Sequence, residues 1–214
     1  MKLIVNGDDF GASSGVNRGI IEAHTRGILT STSLMVDAPA SETAAGLASK
    51  YRGLGVGLHA VVETTEAAPV RALEHQLERF VELTGRRPTH MDSHRDVHHD
   101  GRLLPAFLAV ADRHRLPLRG HCGIRHISSF YGQWNGETHP EQITPSALAR
   151  LLTTDPQAPI CELCCHPGYA DEELESSYAA ERQTELQTLC EPAVAELLED
   201  RRIRLTTFRE VRPR

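Results

Sequence analysis

The chain has 214 residues, 40% hydrophobic and 24% charged, with a formal net charge of −6. That length suits one domain with a buried core, spanning 1–214. The negative balance argues against a broad nucleic-acid footprint, and without an apolar run of about 18 residues no membrane span is expected.

Short apolar runs alternate with longer amphipathic stretches. Strands are predicted over 2–6, 31–36, 55–59, 88–92, 116–119, 160–165 and 203–205. Helices are predicted over 15–26, 40–49, 69–84, 102–113, 145–152 and 172–199, the last divisible at Pro192. Ser13 or Ser14 can cap the first helix, Gly85 can stop the third, and Pro145 suits a first helical turn. The stretch 120–142, with Phe130, Tyr131 and Trp134, has weak periodicity and reads as a long loop. Strand then helix, repeated six or seven times, predicts an α/β fold with about seven parallel strands. "GDD", "GLH", "HMDSH" and "CCHPG" each fall at the C-terminal end of a predicted strand. Four strands feeding one site favours a closed TIM-barrel-like arrangement over an open sheet.

The five cysteines read as free thiols, since the one CxxC at 161–164 has no partner pair. Lys2, a short apolar strand and then acids do not resemble a signal peptide, so a cytoplasmic location is expected. The twelve histidines are many for this length. Position must decide what they do.

Adjacent Asp8 and Asp9 end the first strand, where neighbours point in different directions. They read either as turn and capping residues or as one cation ligand beside one carboxylate facing substrate. His59 ends an apolar strand and is either a metal ligand or a ring satisfied by the backbone. The segment 88–101 holds His90, Asp92, His94, Asp96, His98, His99 and Asp100. On an extended chain 90, 92, 94, 96 and 98 share a face, which predicts metal or proton chemistry there. Glu162 and His166 alternate to one side of the "ICELCCHPGY" strand. His166, before Pro167-Gly168, is either a turn residue or a general acid or base.

The sequence resembles the YdjC-like (ChbG/HpnK) carbohydrate deacetylases. The resemblance rests on "VNGDDFG" at 5–11, "GIIEAHTRGILTSTSLMV" at 19–36, "GVGLH" at 55–59, "GRRPTHMDSH" at 85–94, "FYG" at 130–132, "CHPGY" at 165–169 and "RQTEL" at 182–186. It implies a distorted β/α barrel and metal-dependent removal of acetyl groups from N-acetylated sugars or glycoconjugates. It further implies Asp9, His59 and His94 as metal ligands, Asp8 as the base and His166 as the acid. One divalent ion is expected, zinc first, with cobalt, nickel or magnesium as alternatives. Asp92 is expected to hold a ligand histidine, Glu162 to orient His166, and Tyr131 to lie in the substrate region. The run "DSHRDVH" departs from the family's "DSHHHVH" by Arg95 and Asp96, and the segment from 60 to 87 is shorter than the resemblance leads one to expect. A phosphoesterase on the same scaffold and a non-catalytic sugar-binding protein are the competing readings. Exposed apolar helix faces would suit a homodimer.

Overall fold

The structure is a computed structural model that describes residues 1–154, 158–171, 174 and 176–211. The elements run β1 (Lys2–Phe10), α1 (Ser14–Arg26), β2 (Ser31–Leu34), α2 (Ser41–Lys50), β3 (Gly55–Ala60), α3 (Pro69–Thr84), β4 (Met91–Ser93) and α4 (Leu104–His114). Then follow β5 (Arg125–Ile127), β6 (Gln133–Trp134), β7 (Glu137–Thr138), α5 (Pro145–Thr154), β8 (Ile160–Cys165), α6 (Ala179–Leu189), α7 (Pro192–Asp200) and β9 (Arg204–Leu205). Ser13 caps α1 by accepting from the Val16 amide, and Gly85 ends α3 at φ +67°, both as the sequence leads one to expect.

Seven strands form one sheet, ordered β4-β3-β2-β1-β8-β5, with β9 beside the start of β1. Every pairing in it is parallel. Beyond β4, Leu118 bridges to Met91, and shortly afterwards Arg125 pairs with Cys161 on β8. One short loop therefore joins the two open edges, and the sheet curls into the distorted barrel that the resemblance implies.

Two sequence expectations change, and the division of the last helix that Pro192 allowed is observed. The strand at 116–119 reduces to the single bridge at Leu118. The "loop" at 120–142 contains β5 and the β6–β7 hairpin. A three-residue Arg-His-Ile strand carries too little apolar pattern to be read. The helix expected over 172–199 is two helices, because Pro192 is tolerated only in a first turn; its positions 172, 173 and 175 lie outside the described residues.

Alternation along the strands sorts the chemistry. Leu3 and Val5 of β1 join the large core under the helices. Ile4, on the other face, packs with Ile124, Phe208 and Val211 in a separate cluster. Above that cluster Asn6 and Asp8 share the face of Ile4. Glu162 and Cys164 sit opposite Ile4 and Asn6 in register, so the barrel interior is apolar at one end and polar at the other. His90 lies over Gly57, where a Cβ would meet its ring at 2.3 Å, and stacks on Phe208 at 3.8 Å.

The polar interior is organised by Arg119, whose side chain is fully buried. Its Nη2 lies 2.6 Å from Asp8 Oδ1 and 2.9 Å from Asp92 Oδ2. Its Nη1 donates to Asp8 Oδ2 (2.8 Å) and Asp96 Oδ1 (3.2 Å), and its Nε to Glu162 Oε1 (2.8 Å). One guanidinium thus ties β1, β4 and β8 together across the barrel.

The shared face expected for 90 to 98 ends at Asp92. Ser93 Oγ accepts from the His98 amide (3.0 Å) and pairs with His98 Nδ1 (2.7 Å). These contacts wind His94–His99 into a 3₁₀ turn, with Arg95 and Asp96 at φ +56° and +51°. His98 is buried away from the expected face, and burial, then the neighbouring His99, push its pKa down to about 4.

Two stability predictions follow from this interior. The native His98 resists a proton that the unfolded chain takes up near pH 6.5, so stability is full above that pH and falls as pH drops toward 4, by up to about 3 kcal/mol. Thermal melts over that range, compared with His98→Gln, check this: the variant's acid-side slope should be shallower, and equal slopes would reject it. Arg119→Met leaves buried carboxylates without their cation and should lower stability by about 3–5 kcal/mol in urea unfolding at neutral pH; a loss under about 1 kcal/mol would contradict the account.

Candidate metal and catalytic site

The mouth of the barrel is a cleft of about 590 Å³ whose lining includes Asp8, Asp9, His59, His94, Tyr131 and His166. The two aspartates reach it in different ways. The β1–β2 register shifts between Gly7 and Phe10, and Asp9 adopts φ +66°. Such a bulge re-aims side chains, and Asp is among the few residues that tolerate left-handed backbone. Asp8 therefore turns in to Arg119, while Asp9 turns to His59, His94 and Arg182.

Asp9 Oδ1 lies 3.3 Å from His59 Nε2 and 3.2 Å from His94 Nδ1. Its Oδ2 accepts from Arg182 Nη2 at 2.5 Å. His59 Nδ1 lies 2.7 Å from Asp92 Oδ1 and 3.2 Å from Ser33 Oγ, which fixes the ring and leaves Nε2 for Asp9. Burial works against charge on Asp9, but the bonds from His59 and His94 and the Arg182 charge outweigh it, and the carboxyl falls well below its usual range. Burial likewise disfavours a charged His59, yet the charges of Asp92 and Asp8, with hydrogen bonds that His59 donates to Asp9 and Asp92, raise its pKa well above the ordinary value. The carboxylates around His59 favour positive charge at this point.

The donor set suits a cation. The three donor atoms of Asp9, His59 and His94 lie within 4.8 Å of one another. Ligands bound at about 2.0–2.2 Å in a tetrahedral shell stand roughly 3.3 Å apart, close to the two spacings found here. Two imidazoles and a carboxylate match zinc, cobalt or nickel better than magnesium.

On the other side of Asp8, His166 follows β8. Its backbone amide donates to Glu185 Oε2 (2.5 Å), and its Nδ1 lies 3.8 Å from Glu185 Oε1. Tyr178 donates to the same carboxylate (2.6 Å), and the Tyr131 ring stacks on Tyr178 at 4.4 Å with its edge toward His166 at 5.6 Å. Burial lowers the His166 pKa, but Glu185, then Asp8 and Asp9, more than offset it and leave it raised. Backbone contact fixes the turn: a Cβ at Gly19 of α1 would lie 2.5 Å from Gly168 Cα. Asp8 itself, opposed by burial, is held below the usual range chiefly by Arg119. The five cysteines are free, and Cys164 donates to Asp8 Oδ2 at 3.4 Å.

The sequence-predicted residues thus meet in one place, with one correction. Glu162 does not orient His166: it lies beneath the cleft on Arg119, and Glu185 takes the expected position. The inward face of β8 carries Glu162 toward the barrel centre, whereas His166 sits past the strand's end, where alternation no longer applies. Sequence reasoning also missed Arg119 as the holder of Asp8, and Arg182 and Glu185 altogether. The last two sit inside "RQTEL", a stretch of the resemblance given no role; buried charges three apart on one helix face were the available signal.

Comparison with known proteins agrees with this geometry. The family model described as YdjC-like protein matches residues 2–72 and 64–200. A carbohydrate deacetylase of Brevibacillus brevis is 35% identical over an alignment of 254 positions, covering 99% of this chain and 100% of the relative. That alignment is longer than the chain's 214 residues, and the family match divides at 64–72, just beyond β3, where the sequence reading expects a shortened segment. A chitooligosaccharide deacetylase of Serratia marcescens is 33% identical and covers 98% of each chain. Among solved structures, a protein of Enterococcus faecalis V583 named for cellobiose-phosphate cleavage superposes with a TM-score of 0.80 at 26% identity, over 97% of both chains. In sequence, fold and the residues gathered at the barrel mouth, this chain belongs to the YdjC-like protein family.

Proposed function

We propose that the protein is a metal-dependent hydrolase that removes the N-acetyl group from an acetamido sugar or sugar conjugate, releasing acetate and a free amine. The observation that carries this reading is the convergence of Asp9, His59 and His94 beside a carboxylate held anionic, Asp8, with a histidine held basic, His166, on the other side of Asp8. The deacetylase names of the two relatives support the acetyl-sugar substrate class.

Asp9, His59 and His94 would hold the divalent ion, zinc first among cobalt, nickel and magnesium. Bound there, it supplies a Lewis acid for the acetyl carbonyl and for water. Asp8, with Arg119 behind it, takes the proton from the attacking water. An amine leaves only once protonated, and His166, with Glu185 raising its basicity, gives that proton. Asp92 keeps His59 Nδ1 occupied, which leaves Nε2 as the nitrogen that would hold the ion. Tyr131, partly exposed beside His166, offers an aromatic face to the sugar ring. Arg119 is fully engaged by carboxylates and has no donor pair left for a phosphate. A cytoplasmic location and a homodimer belong to the same proposal; among the described residues no helix is long and apolar enough to cross a membrane.

Acetate release from a panel of N-acetylated mono-, di- and glycoconjugates tests the reading. Chelation should abolish release and added Zn²⁺ or Co²⁺ restore it; chelated protein working at full rate would sink the mechanism. Asp8→Asn should lose at least about 100-fold in kcat while retaining its metal. Asp92→Asn should weaken metal affinity by about 10–100-fold, measured by competition with a chromogenic chelator; unchanged affinity would remove Asp92 from that role.

A further inference from the structure

The histidine-rich turn after β4 is only partly absorbed by the site above. We propose that Asp96, His99 and His126 form a second site for a divalent cation that prefers imidazole, such as Zn²⁺ or Co²⁺, beside Arg119, whose Nη1 holds both Asp8 and Asp96. Each of the three offers a donor atom, and these lie within 4.8 Å of one another. They come from two separate segments: Asp96 and His99 from the 3₁₀ turn, and His126 from β5.

Ordinary structure accounts for part of this cluster only. The ion pair of Asp96 with Arg119 Nη1 at 3.2 Å uses one carboxylate oxygen and leaves lone pairs for another partner. It does not account for His126, whose Nε2 is buried and has no hydrogen-bond partner. Buried polar atoms normally find one. The left-handed backbone of Arg95 and Asp96, in the turn wound by the Ser93–His98 contacts, sets the course of this segment. It is what brings Asp96 round to face β5.

The register supports the same placement. His126 pairs with Glu162 and so points to the barrel interior, toward Arg119 and Asp96. His99 is exposed and half-faces the His126 ring, 6.3 Å away with 23° between planes, so an ion has a route in and a ligand with room to rotate onto it. Two imidazoles and a carboxylate again suit zinc or cobalt over magnesium, with water completing the shell. The location gives the ion a purpose. The 3₁₀ turn extends the β4 edge of the sheet and β5 is the opposite edge, so a cation here would staple the seam where the barrel is joined only by a loop.

The test counts metal and does not use deacetylation, so it stands or falls separately from the proposed activity. Wild-type protein stripped by chelator and titrated with Co²⁺ or Zn²⁺ should take up two equivalents by elemental analysis after desalting. His99→Ala, at an exposed position that should not disturb folding, and His126→Phe should each take up one, or bind the second at least about 10-fold more weakly by calorimetry. His59→Ala, which breaks the first site, should still bind one equivalent and gain thermal stability from it, and the double variant His59→Ala/His99→Ala should gain none. A single equivalent in the wild type that is lost in His59→Ala and kept in His99→Ala, or a second equivalent unaffected by both His99→Ala and His126→Phe, would overturn the proposal. If His59→Ala does not fold, the comparison of wild type with His99→Ala decides alone.

Discussion

One buried guanidinium makes the rest of this molecule possible. Arg119 sits in the barrel interior against Asp8, Asp92, Glu162 and Asp96. Carboxylates withdrawn from water are expensive, and no arrangement of neutral neighbours would hold three fully buried ones in contact. Arginine alone among side chains offers five donors in a rigid plane and cannot lose its charge, so it serves several acids at once. The balance remains negative even so. Burial pushes Glu162 up to about 7 despite its bond to Arg119, and His59 is drawn strongly toward its charged form. The deficit is felt at the mouth of the barrel, where the Asp9, His59 and His94 donors meet.

Two adjacent aspartates raise the question of why like charges sit side by side at the end of a buried strand. The backbone answers it. A register shift in β1 and a left-handed Asp9 send the neighbouring side chains to different cations, Asp8 to Arg119 and Asp9 to Arg182. The repulsion is relieved in space rather than by protonation, and both groups stay anionic. That separation divides their chemistry as well: one carboxylate lies among imidazoles, and its neighbour is kept charged and aligned just beside them.

The helix α6 completes the site from outside the sheet. Its buried face carries Arg182 and Glu185 one turn apart, the first on Asp9 and the second on His166 and Tyr178. A single helix thereby positions groups on both flanks of Asp8. The close approach of Gly19 to Gly168 locks the His166 turn against α1, so the flank opposite the metal donors is fixed by backbone contact and does not rely on side chains alone.

Much of this was legible in the chain itself. Apolar periodicity with Ser13, Gly85 and Pro192 as punctuation gave the alternation of strands and helices, because those signals are local and act through backbone geometry. Polar residues at the C-terminal ends of strands gave Asp8, Asp9, His59, His94 and His166 as one group, because parallel strands bring those ends together whatever lies between. Tertiary structure decided what local pattern could not carry. The short β5 has no periodicity to read, and the 3₁₀ turn that removes His98 from the face of Asp92 depends on a hydroxyl of Ser93. Which charge meets which is the clearest case: Glu162 goes to Arg119, and Glu185, distant in sequence, goes to His166. Ion pairs across a barrel are set by the distances between strands and helices after packing, and the order of residues along the chain holds no record of those distances.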